Sequence, residues 1–328
     1  MKRTERNTYQ LQLLATLLLL VTAFVLSACS SDDSDTPSSP NSTDSEIRFK
    51  PSVWQVMEGT RATTYDSDAA LQAGTFKCYA FVDGDVSATQ YISGSTVSYA
   101  NSQWSFDDGK KYWPETGSLN FFAYMPANLE NTYCTFDPTA YADPGNLDGY
   151  SEDSPRIACA GLPVVITQGS DNTKELVVAY TASQNKAANA SGVNLTFKHP
   201  FARVCFKLSS ASGTNVKINS ITIPSIKRNG IFTFNGTTPV WTLSGDDTNF
   251  VLSGTPATND DAFYLVIPNN YGSKTLTVNA TWSDWSNVTK DVSASVNFNW
   301  DAGYSYTYTL TLSKEALIVD VNKYTEQW

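Results

Sequence analysis

The sequence predicts an all-β chain of short antiparallel strands packed as β-sandwiches, on three observations. Apolar residues recur at every second position in run after run. Clusters of Gly, Asn, Asp and Pro separate those runs at short intervals. No window of useful length carries a helical period. The alternation is clean at Val193-Asn194-Leu195-Thr196-Phe197-Lys198, at Val204-Cys205-Phe206-Lys207-Leu208 and at Leu276-Thr277-Val278-Asn279-Ala280-Thr281-Trp282. It continues through Val292, Ala294, Val296, Phe298 and Trp300, and again through Tyr306, Tyr308, Leu310 and Leu312. A face that is apolar every second residue belongs to a half-buried antiparallel strand. Ser67-Asp68-Ala69-Ala70-Leu71 is the exception, with room for one helical turn.

The first residues are not part of that fold. Lys2, Arg3 and Arg6 form a basic region, Leu11 to Leu26 an apolar one, and Leu26-Ser27-Ala28-Cys29 closes it. The run is short for a membrane span and has the build of a signal peptide over residues 1–28. Its last four residues resemble a bacterial lipobox. The resemblance implies cleavage before Cys29 and a lipid on that cysteine, whose acyl chains anchor the protein to the outer membrane. Residues 29–45 read as a disordered leash: Ser30 to Ser45, SSDDSDTPSSPNSTDS, has no apolar residue apart from prolines, so nothing in it can join a core. Within it, Ser31-Asp32-Asp33 resembles the acidic export signal that sends lipoproteins of Bacteroidetes-type bacteria to the cell surface; a plain soluble tether is the other reading.

Residues 46–64, EIRFKPSVWQVMEGTRATT, have two halves. Ile47, Phe49, Val53, Trp54 and Val56 give the first half a strand's composition, with Pro51 as an interruption that demands an edge or a bulge. The second half is small and polar around a single Arg61, followed by Ala62, and segments of that kind are where chains are nicked. A strand tied on by a cuttable tether suits an assembly precursor better than an enzyme. Five apolar side chains at about 1.5–3 kcal/mol each give the strand roughly 7–15 kcal/mol of gross burial.

With 328 residues the chain has room for two domains of ordinary size. The polar segment Thr181 to Gly192 marks the expected boundary, giving sandwiches over 46–185 and 186–328. A second loop, Phe136 to Arg156, is expected to be a surface excursion.

Several blocks resemble the fimbrillin family, the subunits of protease-assembled pili of Gram-negative anaerobes. Lys111-Tyr112-Trp113-Pro114 followed by Leu119-Asn120-Phe121-Phe122-Ala123-Tyr124-Met125-Pro126 is similar to that family's YWP … LxFFAYxP block. Leu176 to Tyr180, Leu195 to Pro200 with Val204 to Leu208, Phe263 to Pro268, and Trp300 to Tyr308 follow in the family's order. The resemblance implies two transthyretin-like β-sandwich domains and export as a surface lipoprotein. It further implies cleavage by an arginine-specific protease between Arg61 and Ala62, releasing the first strand over 46–61. A neighbouring subunit's C-terminal strand then fills the vacated groove by β-augmentation. In this chain the donor strand is expected over 316–328, with Leu317, Val319 and Val321 pointing into the groove. A tail paired within its own domain is the other reading.

Other residues weigh against different classes of function. A net charge of −10 becomes −12 when residues 1–28, which carry a net +2, are removed, and this argues against nucleic acid as a partner. His199 is the only histidine, so neither a His-based triad nor a multi-histidine zinc site is expected, and a structural role suits it better. No cofactor and no catalytic residue is expected. Cys78, Cys134, Cys159 and Cys205 match no metal spacing and allow three pairings, of which Cys134–Cys159 would bridge the long loop. Asp143, Asn146, Asp148 and Asp153 crowd one loop without calcium-loop spacing, and a solvated acidic loop is the favoured reading. Trp241, Tyr271, Trp282 and Trp285 raise the rival of a non-polymerising surface lipoprotein that binds glycans or host proteins on aromatic platforms. Trp285, between Asp284 and Ser286, is the best ligand candidate, and Trp282 is expected in a core.

Overall fold

In the computed structural model, alternation becomes strands almost everywhere it was expected. The structure describes residues 45–54, 65, 67–83, 90–128, 133–137, 156–162, 164–167, 175–210, 215–233, 240–254, 256, 258 and 262–327. Residues 43–328 form one compact unit. The elements are β1 (Phe49–Val53), α1 (Asp68–Gln72), β2 (Thr75–Val82), β3 (Gln90–Ala100), β4 (Gln103–Phe106) and β5 (Leu119–Met125). They continue with β6 (Cys134–Asp137), β7 (Arg156–Cys159), β8 (Val164–Thr167), β9 (Val177–Gln184), β10 (Val193–Phe197) and β11 (Ala202–Ser210). Next come β12 (Val216–Ile226), β13 (Asn229–Thr233), β14 (Val240–Ser244), β15 (Thr248–Ser253) and β16 (Ala262–Val266). The chain closes with β17 (Asn269–Trp282), β18 (Val288–Trp300), β19 (Tyr304–Leu312) and β20 (Leu317–Gln327). The short helix α1 forms where one turn was expected. Ser67 caps it, its hydroxyl accepting from the Ala70 amide at 3.2 Å, and Leu71 is buried beneath it.

Two sheets enclose a first core. The sheet β4-β3-β2-β5-β9 supplies one layer, and the parallel pair β1-β10 supplies the other. Ile47, Phe49 and Val53 meet Phe76, Phe121 and Met125 there, beside Val193, Leu195 and Phe197. A second core lies between β20-β19-β11-β16-β8 and β15-β12-β17-β18. The alternating runs deliver their apolar members into it: Val204 and Phe206, then Leu276, Val278, Ala280 and Trp282, then Phe298 and Trp300, then Tyr308, Leu310 and Leu312. Their polar neighbours remain at the surface, where Thr277–Ser293 and Thr281–Thr289 hydroxyl pairs link β17 to β18.

The strands do not divide at 185/186 as the composition led us to expect. β10, expected to open the second sandwich, lines the first core beside β1. β8 lies before that point yet pairs with β16, while β13 lies after it and pairs with β7. Alternation states which side of a strand is buried and is silent on which core receives it. A third cluster sits where these strands interleave, built from Phe81, Phe122, Tyr124, Ile157, Phe201 and Phe263 among others. β5 separates it from the first core and is buried along both faces, which is why LNFFAYM reads as a nearly continuous apolar run.

Cys134 and Cys159 face each other across the β6–β7 ladder and form a disulfide, with Cα atoms 4.3 Å apart. Cys78 and Cys205 are free and buried.

Candidate functional site

The first strand is held by three kinds of contact. Its backbone pairs in parallel with β10, from Phe49 opposite Val193 to Val53 opposite Phe197. Just before it, Glu46 bridges to Tyr112, the Ile47 amide donates to the Lys111 carbonyl at 2.8 Å, and the Trp113 amide donates to Ser45 at 2.9 Å. Its inward side chains complete the first core. The Phe49 ring stands edge-on to three others, Phe76 at 5.6 Å, Phe106 at 5.3 Å and Phe121 at 5.8 Å between centroids. Around the rim, Glu46 pairs with Arg48 at 3.4 Å and Lys110 at 3.2 Å, and Lys50 donates to the Ser191 hydroxyl at 2.8 Å.

Pro51 fits here for a reason visible in the ladder. The Val193 amide donates to Arg48, and the Trp54 amide donates to Phe197. Even-numbered residues of β1 therefore exchange bonds with β10, and the nitrogen of Pro51 faces away from it. No ladder bond is lost, and among the described strands β10 is the neighbour of β1.

The displaced-strand assignment needs one correction. Ile47, Phe49 and Val53 are buried, but Trp54 is 43% exposed at the strand end, with the Lys198 ammonium 4.4 Å from its ring centroid. The strand stops at Val53, so Trp54 falls on the solvent side of the alternation. Val56 lies outside the described residues, as do Arg61, Ala62, Cys29 and the loop bearing Asp143, Asn146, Asp148 and Asp153. Among the described residues, three inward side chains give roughly 4.5–9 kcal/mol of gross burial.

The tail is a strand, and within this chain it is paired. β20 runs antiparallel to β19, from Leu312 opposite Leu317 to Tyr304 opposite Gln327, at the edge of its sheet. Leu317 is buried and Val319 half-buried against the second core, whereas Val321 is 42% exposed and Ile318 60% exposed. Near its far end Lys323 pairs with Asp301, and its ammonium lies 4.5 Å from the Tyr304 ring centroid and 5.7 Å from that of Tyr306. The hydrogen bond to Asp301 pushes the Lys323 ammonium above its ordinary range, with burial acting in the opposite direction.

Of the four aromatic residues considered for ligand contact, three are structural. Trp282 is fully buried, the Trp241 indole donates to the Pro200 carbonyl at 2.6 Å, and Tyr271 stands edge-on to Trp300 at 5.4 Å. Trp285 alone of the four is exposed, at 39%, in a 3-10 turn over Ser283–Trp285 at the β17–β18 tip. The Lys314 ammonium lies 5.5 Å from its ring centroid.

Two arrangements had no sequence signal. His199 is buried between β10 and β11, and its Nδ1 lies 3.1 Å from Oε1 of the fully buried Glu175. Burial and the Glu175 charge together push the nearby Tyr65 hydroxyl far above its usual range. Separately, the Tyr91 hydroxyl donates to the Tyr112 carbonyl at 2.7 Å, beside the Glu46 bridge. Among the described residues, no three acidic, cysteine or histidine side chains group as metal ligands, and no helix is long and apolar enough to cross a membrane.

Residues 60–328 match the model of a family described as fimbrillin-like. No curated protein matches the chain. Among solved structures, a fimbrial protein from Bacteroides vulgatus is similar over 87% of this chain and 99% of its own, with 14% identity and a TM-score of 0.53. A candidate cell-adhesion protein from Bacteroides ovatus covers 86% of this chain and 97% of its own, at 14% identity and a TM-score of 0.49. The tip fimbrial protein Mfa3 from Porphyromonas gingivalis covers 78% and 94%, at 8% identity and a TM-score of 0.38.

Proposed function

The chain belongs to the fimbrillin-like family, and we propose that it is a cell-surface fimbrial subunit whose first strand is a removable plug. In this reading signal peptidase cuts before Cys29, the lipid on Cys29 holds the chain at the outer membrane, and the leash carries it to the outer face. An arginine-specific protease then cuts between Arg61 and Ala62 and releases residues 46–61. A strand from another subunit takes the vacated place, and the tail over 316–328 is offered to the next subunit. The chain has a structural and adhesive role and no catalytic one.

The observation that carries the reading is the seat of β1. Its side chains complete a core, yet among the described residues its backbone rests on one strand, β10, and on the short bridge at Tyr112. The chain joins it to the rest through the tether that begins at Gln55 and contains Arg61. A strand so placed leaves a shaped slot when its tether is cut, and an extended peptide can refill such a slot.

N-terminal sequencing of protein taken from the cell surface tests this. A start at Ala62 in assembled material is expected, and Arg61→Ala should abolish it. Surface material that is entirely lipid-blocked at Cys29 would overturn the plug. Trp285 favours a second reading, in which the lipoprotein does not polymerise and presents that exposed ring to a glycan or host protein.

A further inference from the structure

The slot under β1 has a shape, and that shape selects its next occupant. Phe49 fills a box walled by the rings of Phe76, Phe106 and Phe121, while Ile47 and Val53 occupy smaller places two residues before and four after. An occupant must therefore carry an aliphatic residue, then an aromatic two positions on, then an aliphatic four positions beyond that. A reversed strand must carry the same set in the opposite order.

The tail of this chain, Ala316 to Trp328, does not offer that set in any register. With Leu317 at the Ile47 place, Val319 falls in the Phe49 box and Lys323 at the Val53 place. Setting Tyr324 in the box puts Asn322 at the Ile47 place, or Glu326 there and Asp320 at the Val53 place if the strand is reversed. Trp328 in the box brings Glu326 to the Ile47 place, or, reversed, sets Tyr324 at the Val53 place with no residue of Ala316 to Trp328 at the Ile47 place. Each choice underfills the aromatic box, buries an amide or a carboxylate where an aliphatic side chain sat, or, with Trp328 reversed, sets Tyr324 at the Val53 place and leaves the Ile47 place without a residue of the tail.

We infer that the slot is built for a strand from a different subunit, one with an aromatic residue in phase between two aliphatic ones, and not for the tail of a second copy of this chain. The inference rests on the plug reading above. It makes the chain a poor homopolymer and a junction between unlike subunits. A valine in place of phenylalanine leaves the three surrounding rings without a partner on one side, which weakens binding roughly ten- to hundredfold.

The test uses the full chain from Cys29 with a recognition site for a sequence-specific viral protease placed across residues 56–64, so that it does not depend on Arg61. The chain is cut in the presence of one of three synthetic strands: residues 45–54, residues 315–328, or residues 315–328 carrying Val319→Phe. Retained peptide is measured by native mass spectrometry across a concentration series. The 45–54 strand is expected to be retained most tightly, and the Val319→Phe tail about tenfold or more better than the native tail. A native tail retained within about threefold of its Val319→Phe form would overturn the inference while leaving the plug reading intact. Failure of all three strands, 45–54 included, would overturn the plug reading and the inference with it. Phe49→Val in the uncut chain provides a second readout. It should lower the midpoint of thermal unfolding, and an unchanged midpoint would show that the box does not require an aromatic ring.

Discussion

Replacing Phe49 by Ala tests whether β1 is a working part of the first core or a decoration on it. The ring is buried and stands against Phe76, Phe106 and Phe121 from three sides. Removing a phenylalanine from such a site costs about 3–5 kcal/mol, because the lost transfer energy is joined by the cavity left among rings that cannot all collapse inward. For a unit of this size each kcal/mol lowers the unfolding midpoint by about 2–4 °C, so a drop of roughly 10 °C is expected. Trp54→Ala is the matched control. Its ring is 43% exposed and its described contact is the Lys198 ammonium at 4.4 Å, so its loss should cost no more than about 1 kcal/mol. Urea unfolding of both variants, followed by fluorescence of the buried Trp104 and Trp113 in the same core, compares them directly. Equal midpoints for the two variants, or a Phe49→Ala cost under about 1 kcal/mol, would refute the claim that β1 completes this core.

Three further outcomes are expected. Reducing the Cys134–Cys159 bond, or replacing both cysteines by Ser, should cost about 3.5 kcal/mol by loop-closure entropy for residues 25 apart; an unchanged midpoint in reductant would contradict this. The Lys323 ammonium is raised above 10.5 chiefly by its bond to Asp301. A raised folded value means the pair stabilises β20 below the ordinary lysine pKa and stops doing so as pH climbs through the raised one. The side chain is well exposed, so the gain is within about 1 kcal/mol, and the clean readout is the titration of the Lys323 Cε resonance, which Asp301→Asn should return to the ordinary range. Trp285→Ala should leave the unfolding midpoint within about 0.5 kcal/mol of wild type, since the ring is exposed. On a glycan array the same variant separates the two functional readings: lost binding supports the ligand platform, and retained binding removes Trp285 from it.

The local fold was legible wherever one face of a strand meets a core and the other meets water. Leu276, Val278, Ala280 and Trp282 are all fully buried between polar neighbours, as their spacing required. Legibility ended where the question became which core a strand faces. Val193, Leu195 and Phe197 alternate identically whether they close the first core or open the second, and only the partnership with β1 decides it. Pro51 looked like an obstacle because its composition signal ignores parity. The bonds at Arg48 and Trp54 turn its nitrogen away from β10, so the proline costs the ladder nothing. The Glu175–His199 pair was illegible for another reason, since its members lie 24 positions apart with no motif between them. The bland reading of His199 as structural agrees with its burial.

β1 and β20 are unequal in a way that would give the proposed strand exchange a direction. Ile47, with Phe49 and Val53 of β1, buries three apolar side chains in a core, roughly 4.5–9 kcal/mol of gross burial, against a net stability of about 5–15 kcal/mol for a typical domain. Under the proposed plug mechanism, loss of the strand would leave the first core marginal, so the slot would have to be refilled soon after cleavage. Over its described side chains, β20 commits less. Among the described side chains of β20, Leu317 is the one buried apolar residue, Val319 is half-buried, and Ile318 and Val321 face solvent. That is about 2–4 kcal/mol of apolar burial, and the ladder bonds it gives up are largely exchanged for bonds to water. The tail can therefore leave β19 without dismantling the second core, whereas β1 cannot leave without endangering the first. Its departure needs a covalent cut to be irreversible, and the tail's departure needs none. In the proposed mechanism, such a chain would give and receive strands by different means.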